Sequence, residues 1–291
     1  MVDALFEQIV NGLLMGSIYV LVALGMVLIY GVMRVLNFAH GALLMVGGYL
    51  CHFFFARVTG SYALSVALSM AVLGAVGVAL ERGVFRPLRG NIQNQVIASL
   101  GLILVIQNLV IWLWGPNALQ LRVPAAESIV ALGALRFNAH QLLVIGVTFA
   151  AVAALFVFLK LSKFGTAIRA TSQSTEAALV VGIPVERVHA FTFALSVMLA
   201  ALGGALLGPL FLVFPQMGDL PLVKGLAGLL LGGMGSVPGA VLGGFIIGVA
   251  ESVSTLYFPT DYRDSVAFMV MVVILLARPQ GLFGVRVRGE D

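Results

Sequence analysis

The chain has 291 residues, of which 61% are apolar and 10% are charged, and its mean hydropathy is +1.10. Soluble domains carry about 25% charged residues, so this composition excludes an ordinary soluble protein and indicates one embedded in a membrane. The net charge of +4 does not indicate nucleic-acid binding, because the basic residues lie at the ends of apolar stretches rather than in one patch.

The N-terminus predicts a first span that is retained rather than a cleaved signal peptide. Asp3 and Glu7 stand where a signal peptide carries basic residues, and the apolar stretch that follows is longer than a signal-peptide core.

Apolar stretches recur along the whole chain. A helix that crosses the hydrocarbon core needs about 20 mostly apolar residues. The stretches that meet or approach this length are 8–33, 38–56, 62–81, 95–114, 140–160, 189–211, 238–256 and 264–278. We therefore expect an all-α, polytopic membrane bundle with about eight or nine embedded helices, in a single domain over residues 1–291.

One further apolar piece, 222–233, is only about half as long as a span. It is followed by a Gly/Pro run that includes Gly233, Gly235, Ser236, Pro238 and Gly239. Such a break predicts either a full hairpin or a re-entrant half-helix within 222–256, and the sequence does not decide between them.

Glycines four residues apart are frequent among the spans. The pairs are Gly12 and Gly16, Gly204 and Gly208, Gly228 and Gly232, Gly239 and Gly243, and Gly244 and Gly248. In lipid, helices associate by close backbone packing, which small residues permit. We expect most of these glycines to pack helices within the bundle; lining a conduit or a subunit interface is the alternative.

The longest charged excursion, the island 161–188, separates two long spans. Gly165 can break or redirect the chain, Ser174 or Thr175 can cap a short helix with Glu176 in its first turn, and Gly182 can end that helix before Pro184. Such a helix is typical of a docking element for a soluble partner, or of an ordinary surface loop.

The basic residues predict the orientation. If the island is cytoplasmic, eleven Lys and Arg residues lie inside and five outside, which agrees with the positive-inside rule. The eleven are Arg34, Arg82, Arg86, Arg89, Lys160, Lys163, Arg169, Arg187, Arg278, Arg286 and Arg288; the five are Arg57, Arg122, Arg136, Lys224 and Arg263. The N-terminus is then outside and the C-terminus cytoplasmic.

Polar side chains within spans are costly in lipid and usually face the bundle interior. Asn37 and His40 are three residues apart, which predicts one helix face, either for an interhelical hydrogen bond or for contact with a permeation path. Gln107 and Asn108, in the fourth span, are expected to join helices by hydrogen bonds.

Two charged residues sit in the last third of the chain. Glu251 can pair with Lys224 or Arg263, or form part of an outer gate. Lys224 can attract a substrate carboxylate, but an interfacial lysine that extends to water is the more ordinary account. Asn37, His40, Lys224 and Glu251 are therefore the candidate pathway residues.

Several motifs resemble the branched-chain amino-acid permease family of bacterial ABC importers, in its shorter member. Three motifs lie in the island: Phe164-Gly165-Thr166-Ala167-Ile168-Arg169-Ala170, Ala177-Ala178-Leu179 and Gly182-Ile183. One lies at the start of the second span, Asn37-Phe38-Ala39-His40-Gly41, and one forms the Gly/Pro break, Leu231-Gly232-Gly233-Met234-Gly235-Ser236-Val237-Pro238-Gly239-Ala240. Two lie near the end of the chain, Tyr262-Arg263-Asp264-Ser265-Val266-Ala267-Phe268 and Arg278-Pro279-Gln280-Gly281-Leu282-Phe283-Gly284. These motifs extend over nearly the whole chain.

The resemblance implies a permease in the bacterial inner membrane, paired with a second related permease, two ATPase subunits and an extracytoplasmic substrate-binding protein. It implies leucine, isoleucine and valine as substrates, although relatives handle other amino acids, amides or urea. It assigns ATPase coupling to Gly165, Arg169, Ala170, Glu176, Ala177, Ala178, Gly182 and Ile183. One departure stands out, because Ser174 follows Gln173 where the family often has an acidic residue.

The motifs also bear on chemistry. The chain lacks a G-x-x-x-x-G-K-[ST] phosphate loop and a Cys/His cluster with metal-ligand spacing, so we expect no enzyme, no metal and no cofactor on this chain, with ATP and magnesium on the partner subunits. A self-sufficient channel or ion-coupled carrier is the main alternative. An intramembrane serine protease using Ser236 is disfavoured, because no histidine lies in a later span.

Overall fold

The computed structural model describes residues 2–132 and 135–284. Arg286 and Arg288, which entered the charge argument, lie outside the described residues. In chain order the elements are α1 (Val2–Met33), α2 (His40–Phe54), a π-helical turn (Phe55–Thr59), α3 (Tyr62–Leu80), a second π-helical turn (Glu81–Phe85), α4 (Ile92–Trp114), α5 (Pro124–Glu127), β1 (Ile129–Leu132), β2 (Leu135–Asn138), α6 (Ala139–Leu161), α7 (Lys163–Gln173), α8 (Thr175–Val180), α9 (Val185–Leu207), α10 (Asp219–Gly232), α11 (Val237–Ser254), a 3-10 turn (Thr260–Tyr262) and α12 (Arg263–Ala277).

The prediction of a polytopic helical membrane bundle is confirmed. Within the described ranges, seven helices are long and apolar enough to cross a membrane, namely α1, α2 with its π-helical turn, α3, α4, α6, α9 and α11. The shorter apolar helices α10 and α12 complete the bundle. The antiparallel pair β1–β2, with Ile129 opposite Asn138, was not predicted.

Helix α1 lies at the centre of the bundle. Its residues 16–29 are all buried, and α9 is buried along most of its length. The outer helices α3, α4 and α6 instead expose large apolar side chains, such as Leu104 and Phe149. This distribution suits lipid, because apolar side chains gain nothing by leaving a hydrocarbon surface.

Glycines bring the central helices into backbone contact, as their spacing predicts. A Cβ atom placed on Gly248 of α11 would lie 2.5 Å from the carbonyl oxygen of Gly12 in α1. Gly228 of α10 approaches Gly244 of α11 in the same way, with a Cβ-to-Cα distance of 3.0 Å. Only residues without a side chain allow helices to approach so closely.

Two spans are interrupted inside the bundle rather than at its surface. Helix α2 begins at His40, whose ring fills the space beside Gly25 of α1. Since Gly25 precedes the end of α1 by eight residues, His40 lies about 12 Å inside the bundle. Helix α10 also begins within the bundle, and a Cβ on Gly41 would lie 2.5 Å from the carbonyl oxygen of Gly218.

The Gly/Pro run forms a tight turn between two helices, and it is not the place where a span is interrupted inside the bundle. Helix α10 ends at Gly232, α11 begins at Val237, and the two helices pack against each other as a hairpin. The interrupted part lies upstream, where 208–218 is not an α-helix and Val213 forms a bridge with Leu119. This decides the question that the sequence left open for 222–256.

The two ends of the described chain lie on opposite faces. Gly284 contacts Gly233, on the face that also carries α7 and the end of α1. The start of α1 lies on the other face, where Ser252 donates a hydrogen bond to Gln8 at 2.8 Å. We name the first of these the island face. Between residues 2 and 284, as far as they are described, the chain crosses the bundle nine times when 34–39 is counted with α2 and 208–218 with α10, and this odd number places the two ends on opposite faces.

Candidate functional site

The island folds as two consecutive capped helices on the island face. Ser162 ends α6 and caps α7, accepting a hydrogen bond from the Gly165 amide at 2.8 Å. Ser174 caps α8 through the Ala177 amide at 3.2 Å, as predicted, and Gly182 adopts φ +80° just after α8. Each cap satisfies a backbone amide that the first turn of a helix leaves unpaired.

The break predicted at Gly165 is wrong. Gly165 lies in the first turn of α7, and the chain redirects at Ser162. A Cβ atom on Gly165 would lie 2.6 Å from the Cα atom of Leu159, so this glycine allows α7 to fold back against the end of α6. Its role is close packing between two helices.

The island is fixed to the bundle by one face of α7. Ile168 packs in a buried cluster with Val32 at the end of α1 and Val188 at the start of α9. An Arg34 guanidinium nitrogen donates to the carbonyl oxygen of Ser172 at 3.2 Å. Arg34 has a positive φ of 57°, which is uncommon for a residue other than glycine. The island therefore contacts both helices that form the buried centre of the bundle.

The far end of the island presents an apolar surface to solvent. Leu179, Val180 and Val181 are exposed, and Val180 is the most exposed of the three at 87%. We name these three residues the α8 tip. Among the residues assigned to ATPase coupling, Arg169, Glu176, Ala177 and Gly182 are exposed, Ala170 and Ile183 are half-buried, and Gly165 and Ala178 are buried.

A buried carboxylate that the sequence did not predict as a site residue lies next to the island. Glu81, fully buried in the π-helical turn after α3, forms salt bridges with Arg86, at 3.0 Å, and with Arg89. Arg86 also pairs with Glu186, in the first turn of α9, at 2.9 Å. The hydrogen bond to Glu81 raises the pKa of Arg86 above its ordinary value. The sequence pattern that could have indicated this cluster is a single carboxylate at the end of an apolar span, followed by several arginines.

Lys224 and Glu251 are brought together, and the expectation that Lys224 extends to water is wrong. Lys224 is 1% exposed, and its ammonium group contacts Glu251 at 2.7 Å and Asp264 at 2.6 Å. Glu251 also accepts from Tyr19 at 2.9 Å and pairs with Arg263 at 2.8 Å. In this structure Lys224 and Glu251 are paired with each other and with neighbouring charges, and their pathway role stays a prediction.

Asn37 and His40 do not share a helix face, because α2 begins only at His40. Asn37 lies in the preceding turn, where its side-chain oxygen accepts from the Ala39 amide at 3.1 Å. Both side chains are buried, and the Asn37 amide nitrogen and both His40 ring nitrogens lack hydrogen-bond partners among the described residues. No described hydrogen bond or ion pair joins them to Lys224 or Glu251.

The Gly/Pro turn meets the end of the described chain. Gly233 and Gly235 have positive φ angles, and Ser236 caps α11 by accepting from the Gly239 amide at 3.1 Å, with Pro238 in the first turn. The amide of Phe283 donates to the Gly232 carbonyl at 3.0 Å. Ser236 thus has a capping role that explains its position.

Comparison with known proteins decides the family. Residues 8–275 match the family described as "Branched-chain amino acid transport system / permease component". The chain belongs to this family. Its membership in the branched-chain permease family agrees with the resemblance seen in the motifs, and it makes the protein a permease component of a transport system.

Individual relatives match over almost their full length. The chain is 32% identical to the "High-affinity branched-chain amino acid transport system permease protein LivH" of Escherichia coli K12, covering 96% of this chain and 95% of the relative. It is 34% identical to the corresponding protein BraD of Pseudomonas aeruginosa, with the same coverage. The solved structure of PsaBC from Streptococcus pneumoniae in complex with Fab aligns at 12% identity and a TM-score of 0.49, covering 94% of this chain and 92% of that one.

Proposed function

We propose that this protein is the membrane-spanning subunit of an ATP-driven importer that moves branched-chain amino acids into the cytoplasm. The family match over 8–275 supports the transport role, and the names of the relatives support the substrate. The whole chain acts as a single permease domain. The observation that carries the mechanism is the α8 tip, three consecutive exposed apolar residues at the far end of the island.

The island face is the cytoplasmic face in this proposal. Nine of the basic residues lie at this face or in the segments that join it: Arg34, Arg82, Arg86, Arg89, Lys160, Lys163, Arg169, Arg187 and Arg278. An excess of Lys and Arg marks the cytoplasmic side of a bacterial membrane protein. The N-terminus is then extracytoplasmic, and the C-terminus is cytoplasmic.

The α8 tip is the docking element for an ATPase subunit. A cluster of exposed apolar residues on an aqueous surface is costly unless a partner covers it. The tip ends α8 and leads directly into α9, while α8 packs against α7 and α7 contacts α1, so a displacement of the tip reaches the centre of the bundle. The chain has no phosphate loop of its own, and in this proposal ATP and magnesium bind to the partner ATPases.

The full assembly contains a second related permease, two ATPases and an extracytoplasmic binding protein that delivers the substrate. This chain hydrolyses no ATP itself. Movement of the ATPases would alternate the paired permeases between outward-open and inward-open states through their islands.

The same substitution on the two faces tests this proposal. Val180→Asp places a charge on the α8 tip, whereas Val58→Asp places it on a 61% exposed valine of the opposite face. We expect Val180→Asp to abolish co-purification of the ATPase and amino-acid uptake in cells, with normal amounts of the permease in the membrane. Val58→Asp should retain the ATPase.

The outcomes separate the alternatives. Retention of the ATPase by Val180→Asp would remove the docking role, and its loss only in Val58→Asp would reverse the orientation. Substrate flux through liposomes that contain only this chain would instead support a self-sufficient carrier.

A further inference from the structure

Polar side chains occupy one lateral surface of the bundle, where α4 meets the start of α10. Asp219, Gln216 and Asn108 are exposed there, and Gln107 is half-buried. The Gln107 side-chain nitrogen donates to a carboxylate oxygen of Asp219 at 3.2 Å. We name these four residues the lateral polar patch.

The lateral polar patch lies within the depth of the hydrocarbon core. Gln107 follows the start of α4, at the island face, by 15 residues and precedes its end by 7, which places it about 22 Å from one end and 10 Å from the other. Helix α10 also rises about 21 Å from the turn after Gly232 to Asp219. The hydrocarbon core is about 30 Å thick, so Asp219 is inside it.

Asp219 differs from the embedded carboxylates Glu81, Glu251 and Asp264, because it has no salt bridge within 2–132 and 135–284. Glu81, Glu251 and Asp264 each form salt bridges with Lys or Arg side chains. Among the residues that the structure describes, no cationic group forms a salt bridge with Asp219. A carboxylate directed at lipid is costly, and intramembrane charges normally face a water-filled path or a partner.

We propose that the lateral polar patch lines the substrate path at the seam with the second permease, and that Asp219 binds the α-ammonium group of the amino-acid substrate. This inference rests on the proposed function and adds the substrate-binding residue to it. The second carboxylate oxygen of Asp219 has no partner among the described residues and can accept from the ammonium group. The exposed side chains of Leu104, Leu220 and Val223 adjoin the patch and offer an apolar surface to an aliphatic side chain.

The start of α10 suits this role for a second reason. Interrupted helices that begin inside the membrane commonly carry the binding sites of transporters, because their first turns leave polar groups unpaired there. The N-terminus of α10 favours the negative charge of Asp219. The unpartnered atoms of Asn37 and His40 lie at the neighbouring start of α2, where Gly41 packs against Gly218, so the starts of the two interrupted helices meet.

The first test removes the charge without changing the size of the side chain. Asp219→Asn is assayed in the complete importer, reconstituted in liposomes with its ATPases and the loaded binding protein. The loss of a charge-assisted hydrogen bond predicts that uptake falls about tenfold or more, and Asp219→Glu should restore part of it. Asp261→Asn, in the exposed 3-10 turn, is the matched control and should transport normally.

The uptake of Asp219→Asn is compared with the amount of assembled complex and with its monodispersity. Asp219→Asn should co-purify with its partner subunits in the same amount as the wild type, and it should elute as a monodisperse complex in size-exclusion chromatography, which excludes a folding defect. Wild-type uptake by Asp219→Asn would overturn the binding role while leaving the importer assignment intact, because that assignment requires only that the wild-type complex transports and that Val180→Asp does not.

The second test asks whether the patch faces water. Gln216→Cys and Val72→Cys, the latter in the middle of α3, are introduced with Cys51→Ser, which removes the single native thiol. A membrane-impermeant thiol reagent should modify Gln216→Cys in the assembled importer, and the substrate should slow this reaction. Val72→Cys, facing lipid, should stay unmodified. Equal protection of both cysteines would place the patch against lipid and overturn the proposal.

Discussion

The contact between α1 and α11 gives a quantitative prediction for Gly248→Ala. The added methyl carbon would lie 2.5 Å from both the Gly12 carbonyl oxygen and the Gly16 Cα atom. Non-bonded heavy atoms normally approach to about 3.5–4.0 Å, so the two helices must separate by about 1 Å. Overpacking of this kind costs about 1–3 kcal/mol. We take about 2 kcal/mol, which corresponds to a decrease of about 4–8 °C in the melting temperature.

A matched substitution isolates the packing cost. At Gly146, in the outer helix α6, an added Cβ would have no heavy atom of the described residues within 4 Å apart from the adjoining backbone of its own helix. Gly146→Ala changes the same residue type in a helix, and it should leave stability unchanged or raise it by up to about 1 kcal/mol through the better helix propensity of alanine. The difference between the two variants therefore measures the close approach of α1 and α11.

The assay is the thermal loss of the monodisperse protein, followed by fluorescence-detected size-exclusion chromatography in one detergent. Gly248→Ala should melt below the wild type, and Gly146→Ala at or above it. Equal melting temperatures for the two variants would refute the argument, because the added methyl group would then cost nothing at either site and the helices could not be in backbone contact.

Two further predictions compare buried with exposed members of the same salt-bridge networks. Lys224→Met should lower the melting temperature by more than Arg263→Met. Both cations contact Glu251, but the Lys224 side chain is 2% exposed and that of Arg263 is 39% exposed, and removing one partner of a buried pair costs about 3–5 kcal/mol. Equal decreases in melting temperature would show that burial does not set the cost of losing the Lys224 charge. Glu81→Gln should lower the melting temperature clearly more than Glu186→Gln, because Glu81 is fully buried whereas the Glu186 side chain is 68% exposed. A larger decrease for Glu186→Gln would show that the exposed Arg86–Glu186 pair contributes more to stability than the buried one.

The sequence was sufficient for features that depend on neighbouring residues. The spans follow from hydropathy, because a bilayer requires about 20 apolar residues for each crossing. The cap at Ser174 and the left-handed Gly182 follow from local backbone chemistry, and the structure has both. Glycine spacing likewise predicted the close helix contacts, although not which helices meet.

Features that depend on distant residues could not be predicted. The short apolar segment around Lys224 is compatible with an interfacial lysine, and only the fold brings Glu251 and Asp264, 27 and 40 positions away, to its ammonium group. Helical spacing placed Asn37 and His40 on one face, but spacing cannot show that α2 begins only at His40. The interruption at 208–218 was missed for a similar reason, because its backbone is held by contacts with Leu119 and Gly41.

The sequence by itself determined that this protein crosses a membrane many times, that its polar island stands apart from the spans and which family it resembles, because hydropathy, capping and motifs are properties of contiguous residues. Tertiary structure alone decided which buried charges neutralise one another, where two spans are interrupted and that no cation among the described residues pairs with Asp219. The physical reason is that the cost of a charge in a membrane depends on what the fold places beside it, and that neighbour is usually far away in the chain.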